Sequence, residues 1–188
     1  MKDTAYTTLA LPAHTDTTYF TDPAGLQMFH LLSHTAGSGG ASLLVDGFKA
    51  ARVLKEKDPN AYEILTQLGI TCHASGNKGI TITPGKKYPV LNHGDIIDET
   101  GQYPLMQVRW NNDDRGSIDL GEARGTGSKP SITAESWYYA ARLWNSILQS
   151  KDMEYWSQLK PGRPISKSWL QRSPIYITIL LISPSSLR

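Results

Sequence analysis

The stretch Ala41-Ser42-Leu43-Leu44-Val45-Asp46-Gly47-Phe48 predicts a strand that leads directly into a helix. Residues 41–45 form a short apolar run that is typical of a strand. Asp46 has the side chain of a helix N-cap, and helical periodicity then continues to Lys57. A second helix is predicted over 60–68, because Asp58 can cap it and Pro59 suits the first helical position.

Short strands are predicted on both sides of this stretch, because runs of β-forming residues alternate with Gly, Pro and Asn. They cover residues 26–32, 70–74, 79–83, 88–92, 105–110 and 153–159, and segment 3–20 is expected to be extended and partly strand. Loops are predicted at 36–40 and 120–131, and the clearest helix at 133–149, capped by Thr133. The expected fold class is α+β, mainly β with helical insertions, as in a β-sandwich or jelly roll.

The composition argues against several classes of protein. The 188-residue chain has a net charge of +2 and no run of Lys and Arg, so nucleic acid is not an expected partner. Its single cysteine, Cys72, cannot form an internal disulfide and fits a reducing compartment. The longest apolar run, 175–182, is far shorter than the ~20 residues that span a bilayer. No secretory signal follows Met1, so we expect a soluble intracellular protein with no membrane partner.

One pair of side chains has the chemistry of a metal site. His14 and Asp16 are two residues apart, and side chains at that spacing on an extended chain point to the same side. With a second, remote histidine they would form the two-histidine, one-carboxylate triad of non-haem iron(II) oxygenases. The pair alone also fits a surface contact in which the carboxylate orients the imidazole, so the motif leaves both interpretations open.

The surroundings of this pair are more specific, and in them the chain resembles the trimethyllysine dioxygenases. These are 2-oxoglutarate- and iron(II)-dependent dioxygenases, related to the γ-butyrobetaine and taurine (TauD-like) dioxygenases. The resemblance covers residues 3–163 and implies a partial double-stranded β-helix, or jelly roll, of the taurine dioxygenase type. It is carried by these blocks, in the family's order: Asp3-Thr4-Ala5-Tyr6-Thr7, His14-Thr15-Asp16-Thr17-Thr18-Tyr19-Phe20, Pro23-Ala24-Gly25-Leu26-Gln27, Gly39-Gly40 followed by 41–48, Pro89-Val90-Leu91-Asn92, Val108-Arg109-Trp110-Asn111-Asn112 and Leu159-Lys160-Pro161-Gly162-Arg163.

The resemblance implies an oxidoreductase and assigns its catalytic centre. His14 and Asp16 match two ligands of the iron. Ser42 matches a residue that touches 2-oxoglutarate, although an ordinary strand serine would look the same. The implied cofactors are Fe(II), 2-oxoglutarate as co-substrate, O2 and ascorbate, which keeps the iron reduced. The implied reaction hydroxylates N6,N6,N6-trimethyllysine to 3-hydroxy-trimethyllysine in carnitine biosynthesis.

Three further residues are implied to hold this small-molecule substrate. Tyr6 matches an aromatic residue that attracts the trimethylammonium group by cation–π interaction, since that group has no hydrogen to donate. Asp3 matches a carboxylate that pairs with the substrate's α-amino group. Because γ-butyrobetaine lacks that group, Asp3 favours trimethyllysine. Asn111 matches a contact to the substrate's carboxylate end. Each residue also has a purely structural interpretation: Tyr6 as a core tyrosine, Asp3 as an exposed acid and Asn111 as a turn-forming asparagine.

The resemblance stops at Arg163. Residues 1–163 are expected to form a partial dioxygenase domain, truncated at its N-terminus, and residues 164–188 a divergent tail unrelated to the family. The family's third iron ligand is a histidine beyond this point, yet no histidine follows His93 in the sequence. The family's arginine that binds the distal carboxylate of 2-oxoglutarate also has no match in this sequence. The chain alone is therefore expected to be inactive or nearly so.

Three functions stay open at this stage: trimethyllysine hydroxylation, γ-butyrobetaine hydroxylation, and a non-catalytic truncated isoform or fragment that associates with a full-length subunit. The sequence does not decide the oligomeric state, and a homo-oligomer is among the options. The compartment is open between mitochondria, where animal trimethyllysine dioxygenases are found, and the cytoplasm.

Overall fold

The helices begin and end close to where the sequence predicts them. The computed structural model describes residues 11–34, 40–74, 78–120, 132–168 and 181–182. Within these, α1 is Gly47–Lys57, α2 is Pro59–Gln67 and α3 is Ala134–Leu148, and the three pack against one another. No helix among these residues is long and apolar enough to cross a membrane.

Side-chain caps explain where each helix starts. The carboxylate of Asp46 accepts the first backbone N–H groups of α1, and that of Asp58 accepts from Ala61 in α2. Thr133 and Ser136 exchange hydrogen bonds in a capping box at the start of α3. Each cap satisfies donors that have no partner within the helix, so these predicted starts are confirmed.

Seven short strands form three antiparallel sheets in the described part of the chain. β1 pairs with β6, β3 pairs with β4, and β2 lies between β5 and β7. The strands are β1 (Gln27–Phe29), β2 (Ala41–Val45), β3 (Leu91–His93), β4 (Leu105–Val108), β5 (Glu154–Gln158), β6 (Ile165–Lys167) and β7 (Leu181–Ile182).

Several predicted strands are shorter than expected, and part of a segment predicted to be extended forms a turn. The strand at 41–45 is confirmed, but residues 70–74 and 79–83 form only isolated bridges, such as Ala74 with Ile82. Within the segment 3–20, predicted to be extended and partly strand, residues 16–19 form a turn, and Thr17 has a left-handed φ of 59°. A β-branched residue rarely adopts that conformation, so propensity alone did not indicate the turn. Predictions for 3–10, 35–39 and 121–131 lie outside the described residues.

The core lies where the helices meet the β3–β4 sheet. α2 contacts β3 and α1 contacts β4. Leu54 of α1, Trp144 of α3, and Leu91 and Val108 of the two strands are completely buried. This packing fixes the carboxyl end of β4, and the next two residues of the chain reach the His14 segment.

The described parts of the 164–188 segment join sheets formed by earlier residues. β6 pairs with β1 over three residue pairs, and β7 adds to β2 opposite Ser42 and Leu43. The segment therefore supplies an edge strand to the three-stranded sheet, which gives part of its apolar run a pairing partner. A domain boundary at Arg163 stays a prediction.

Candidate metal centre

The His14-Thr15-Asp16 segment is held in place by its middle residue. Thr15 is buried, and its backbone N–H donates to the carbonyl of Trp110 at 2.6 Å. The Trp110 N–H donates in return to the Thr15 hydroxyl oxygen at 2.8 Å. Because Thr15 is bonded inward, the two outer side chains are left to meet each other. The predicted juxtaposition is present, but it arises at the start of a turn rather than on a strand.

His14 and Asp16 are arranged as two ligands of one ion would be. His14 Nε2 lies 3.2 Å from Asp16 Oδ1, and His14 Nδ1 lies 2.7 Å from the carbonyl oxygen of Pro12. A carbonyl oxygen can only accept, so Nδ1 carries a proton. Nε2 donates to the carboxylate when it is also protonated, and it presents a lone pair when it is not. Metal-binding histidines commonly donate their second nitrogen to a backbone carbonyl in this way.

Burial and neighbouring groups set the ionisation of the pair. Burial opposes protonation of His14, but its hydrogen bonds to Asp16 and Pro12 outweigh burial and raise the pKa of His14 above its ordinary value. Burial likewise opposes ionisation of Asp16. Its contacts with His14 and Lys167 outweigh that effect, and they hold the pKa of Asp16 well below its ordinary value. The carboxylate is therefore ionised at neutral pH, and the pair attracts a cation.

The donor set fits iron(II) in part. Metal–ligand bonds of ~2.0–2.2 Å at right angles place two donor atoms roughly 3 Å apart, close to the observed separation. An imidazole nitrogen and a carboxylate oxygen are also the donor types of the non-haem iron triad. Within the described ranges, however, no three His, Cys, Asp or Glu residues come together. The described residues thus bring together two of the three donors that the sequence predicts, and their role as ligands stays a prediction.

Arg109 fixes the turn that follows the pair, and the sequence analysis gave it no role of its own. Its side chain is buried, and its guanidinium donates to the carbonyls of Thr18 at 2.7 Å and Phe20 at 2.6 Å. Its planar group lies 4.0 Å from the ring centroid of Tyr88. The signal available in the sequence was a single charged residue in the predicted strand 105–110, beside Trp110.

A second contact that sequence reasoning missed comes from the far end of the chain. Lys167 Nζ lies 2.6 Å from Asp16 Oδ2, and the Lys167 side chain is completely buried. Residues 16 and 167 are 151 positions apart, so neither spacing nor periodicity could indicate this pair. Desolvation lowers the pKa of Lys167 below its ordinary value, although Asp16 opposes that shift.

The structure brings Asn111, but not every predicted residue, near the pair. Asn111 directly follows Trp110, and its amide N–H2 donates to Asp114 at 2.8 Å. Its carbonyl oxygen accepts from the Asp113 N–H, as in a turn-forming asparagine. Ser42 is buried in β2 between β5 and β7. Asp3 and Tyr6 lie outside the described residues, so the roles given to all four stay predictions.

A separate groove of about 750 Å³ lies between α2 and the β3–β4 turn. In it the Tyr62 hydroxyl is 3.0 Å from His93 Nε2, and Lys55 lies 5.3 Å from the centre of the Tyr62 ring. Burial and the charge of Lys55 lower the pKa of His93 below its ordinary value.

Comparison with known proteins now decides the family. The profile described as "Taurine catabolism dioxygenase TauD, TfdA family" matches residues 1–163, which include His14, Asp16 and their anchors at Arg109 and Trp110. The chain belongs to this family. Dioxygenases of the TauD family use Fe(II), 2-oxoglutarate and O2, typically with ascorbate.

Within the TauD family, the chain is more similar to trimethyllysine dioxygenases than to a γ-butyrobetaine dioxygenase. The chain is 50% identical to the trimethyllysine dioxygenase of Neurospora crassa, over 88% of this chain and 39% of that protein. It is 39% identical to human mitochondrial trimethyllysine dioxygenase, over 86% of this chain and 35% of that protein. Human γ-butyrobetaine dioxygenase is more distant, at 27% identity over 86% of this chain and 38% of its own length. The chain therefore spans less than two fifths of the length of these curated relatives.

Proposed function

We propose that this chain carries part of the active site for 2-oxoglutarate- and Fe(II)-dependent hydroxylation of N6,N6,N6-trimethyllysine, a step of carnitine biosynthesis. The observation that carries the proposal is the His14–Asp16 pair, fixed by Thr15 and placed inside the family's matching region. When bound, the iron supplies oxidative chemistry that couples decarboxylation of 2-oxoglutarate to hydroxylation of an unactivated carbon.

The chain's own residues have distinct tasks in this proposal. His14 presents Nε2 to the metal while the Pro12 carbonyl holds the proton on Nδ1, so Nε2 is the nitrogen that would be free of its proton when the metal is bound. Asp16 supplies an ionised oxygen, and Arg109 keeps the following turn from shifting the pair. Ser42 would contact 2-oxoglutarate, as the resemblance implies. Together these residues orient the metal and co-substrate, and they provide no proton transfer themselves.

Trimethyllysine is preferred over γ-butyrobetaine as the substrate. In this proposal Asp3 pairs with the α-amino group, Tyr6 holds the trimethylammonium group and Asn111 contacts the carboxylate. The proposal is supported by 50% identity to a trimethyllysine dioxygenase against 27% to a γ-butyrobetaine dioxygenase. The human relative's name also places that protein in mitochondria, and we extend this compartment to the present chain as part of the proposal.

The fold proposed for residues 1–163 is part of a double-stranded β-helix. The antiparallel pairing of β3 with β4 and of β2 with β5 supports this architecture, because jelly rolls are built from antiparallel strands. We further propose that residues 164–188 are a divergent tail whose strands complete sheet edges rather than supply family residues. Family membership is established by the match over 1–163, whereas the jelly-roll description rests on these pairings.

A low turnover is part of the proposal. Within the part of the chain that the structure describes, no third ligand lies beside His14 and Asp16. Two ligands hold a divalent ion less tightly than three. This observation favours a second candidate, a non-catalytic isoform that associates with a full-length subunit. Co-purification of the chain with a full-length trimethyllysine dioxygenase would support that alternative.

The test compares metal binding and catalysis in matched variants. The purified chain, His14→Ala, Asp16→Asn and the exposed control His30→Ala are each titrated with Fe(II) without oxygen. Each is then assayed for trimethyllysine-dependent succinate formation with 2-oxoglutarate and ascorbate. We expect weak Fe(II) binding and slow, trimethyllysine-dependent succinate formation in the chain and in His30→Ala, and neither in the other two variants.

Two outcomes would contradict this assignment. Binding and turnover that survive Asp16→Asn would show that the pair is not the metal site. Succinate formation that responds to γ-butyrobetaine but not to trimethyllysine would move the substrate to the sister reaction. A rate equal to that of a full-length enzyme would instead overturn the proposed loss of turnover.

A further inference from the structure

Lys167 is a buried cation that the proposed reaction does not use. Its side chain has no exposed surface, and removal of an ammonium group from water is costly unless an anion accompanies it. β6 places it there by pairing with β1, where Lys167 lies opposite Gln27. The next residue strengthens this docking, since the Ser168 hydroxyl donates to the Gly25 carbonyl at 2.8 Å.

The anion that accompanies Lys167 is the carboxylate proposed to bind metal. Asp16 Oδ2 accepts from Lys167 Nζ at 2.6 Å, and Asp16 Oδ1 faces His14 Nε2 at 3.2 Å. The ring of Phe29 lies 5.1 Å from the ammonium and adds cation–π attraction. Both oxygens of Asp16 are therefore engaged, one of them by a full positive charge.

We propose that Lys167 is an internal cation that competes with metal for Asp16, so that the docked segment Ile165–Ser168 keeps the centre in a state of low metal affinity. The inference rests on the proposed function, because it takes His14 and Asp16 as ligands. It goes further by naming a residue outside the family's matching region that regulates the site. It makes the 165–168 segment an inhibitory strap whose displacement opens the centre.

Charge explains why the two states exclude each other. A divalent ion on Oδ1 and an ammonium on Oδ2 would be separated by a single carboxylate, in surroundings that shield them poorly from mutual repulsion. One negative charge also cannot balance three positive charges. Metal binding therefore requires Lys167 to withdraw. In this proposal the buried Lys167 withdraws together with the segment that carries it, which breaks the three β1–β6 residue pairs and the Ser168 hydrogen bond. The metal–ligand interactions must offset that loss.

The experiment measures metal affinity directly, without catalysis. Mn²⁺, which prefers the same oxygen and imidazole donors and resists oxidation, is titrated into the full chain and followed by electron paramagnetic resonance. The variants are Lys167→Met, which keeps length and removes charge, Lys167→Arg, which keeps charge, and the exposed control Lys78→Met. We expect Lys167→Met to bind Mn²⁺ at least about tenfold tighter than the parent chain, and the other two to resemble the parent.

The double variant Lys167→Met/Asp16→Asn separates this inference from the proposed function. We expect it to lose the gained affinity, because the ligand itself is removed. Equal, measurable binding in the parent and Lys167→Met, lost with Asp16→Asn, would overturn the strap and leave the metal pair intact. No binding in any variant would overturn both. If Lys167→Met fails to fold, amide hydrogen exchange of the parent decides. Saturating Mn²⁺ should accelerate exchange in β6, and unchanged exchange would refute the competition.

Discussion

Arg109→Met tests whether the guanidinium is what holds the turn beside the metal pair. The side chain makes two short hydrogen bonds, to the carbonyls of Thr18 and Phe20, and stacks on Tyr88. Hydrogen bonds to charged groups contribute ~1.5–3 kcal/mol each, so their loss costs about 3–6 kcal/mol. Burial of the methionine side chain and relief from desolvating a charge recover about 1–2 kcal/mol. The expected net loss of unfolding free energy is roughly 1–5 kcal/mol, a large share of the ~5–15 kcal/mol typical of a domain.

Urea unfolding followed by tryptophan fluorescence measures this loss, since Trp110 directly follows Arg109 and is buried. Arg142→Met on the exposed face of α3 is the matched control, with an expected change within ~0.5 kcal/mol. Arg109→Lys should fall between the two, because one ammonium cannot reproduce a planar fork that reaches several carbonyls. If Arg109→Met lowers the unfolding free energy by less than about 1 kcal/mol, with an unchanged dependence on urea concentration, Arg109 does not hold the turn as proposed.

Three further perturbations probe the anchor, the groove and the core. Thr15→Val removes the hydroxyl that accepts from the Trp110 N–H, and it should lower the unfolding free energy by about 1–3 kcal/mol. It should also weaken Mn²⁺ binding, and an unchanged Mn²⁺ affinity would contradict the anchoring role of Thr15. The pKa of His93 is lowered in the folded chain, so the unfolded chain takes up its proton first as pH falls through 6.5. His93 should therefore lower thermal stability as pH falls from 7.5 to 5.5, whereas His14, whose pKa is raised, acts in the opposite sense. His93→Gln should lose less stability than the parent chain over that interval, and an identical pH dependence would place the titration elsewhere. Leu54→Ala should cost about 2–5 kcal/mol because Leu54 is completely buried, whereas Ile96→Ala, 82% exposed, should cost little; similar midpoints in urea would contradict the assigned core.

The helices could be predicted because their signals are local. Asp46, Asp58 and Thr133 cap helices through contacts with residues two or three positions away, which a sequence window shows directly. The strand at 41–45 was equally clear as an apolar run. The turn at 16–19 was not predictable in this way, because Thr17 is a residue type that favours strands but has the left-handed φ of a turn. Its shape is imposed by Arg109, which is distant in sequence and bonds to carbonyls that any residue has.

In the candidate site, too, the residues with local signals could be predicted and those with distant partners could not. His14 and Asp16 were recognisable because they are two positions apart and lie within family blocks. Thr15 lies between them, yet its role depends on a backbone contact 95 residues away. Lys167 depends on the pairing of β1 with β6, across most of the chain. A sequence window shows which residue types are present, but the partner of a buried charge is decided by strand pairing.

The end of β4 also makes the site sensitive to strand register. Arg109 and Trp110 are consecutive, and the first anchors the turn through its side chain while the second anchors Thr15 through its backbone. The β3–β4 ladder is short, contains an irregularity at Asn92–His93, and continues through the Arg109 N–H to the Val90 carbonyl. A slip of one residue would turn Arg109 to the opposite face and present Trp110 to the carbonyls instead. Misregistered chains would keep their helices and lose the metal pair, so helical content measured by circular dichroism would overstate the fraction of molecules with a formed site.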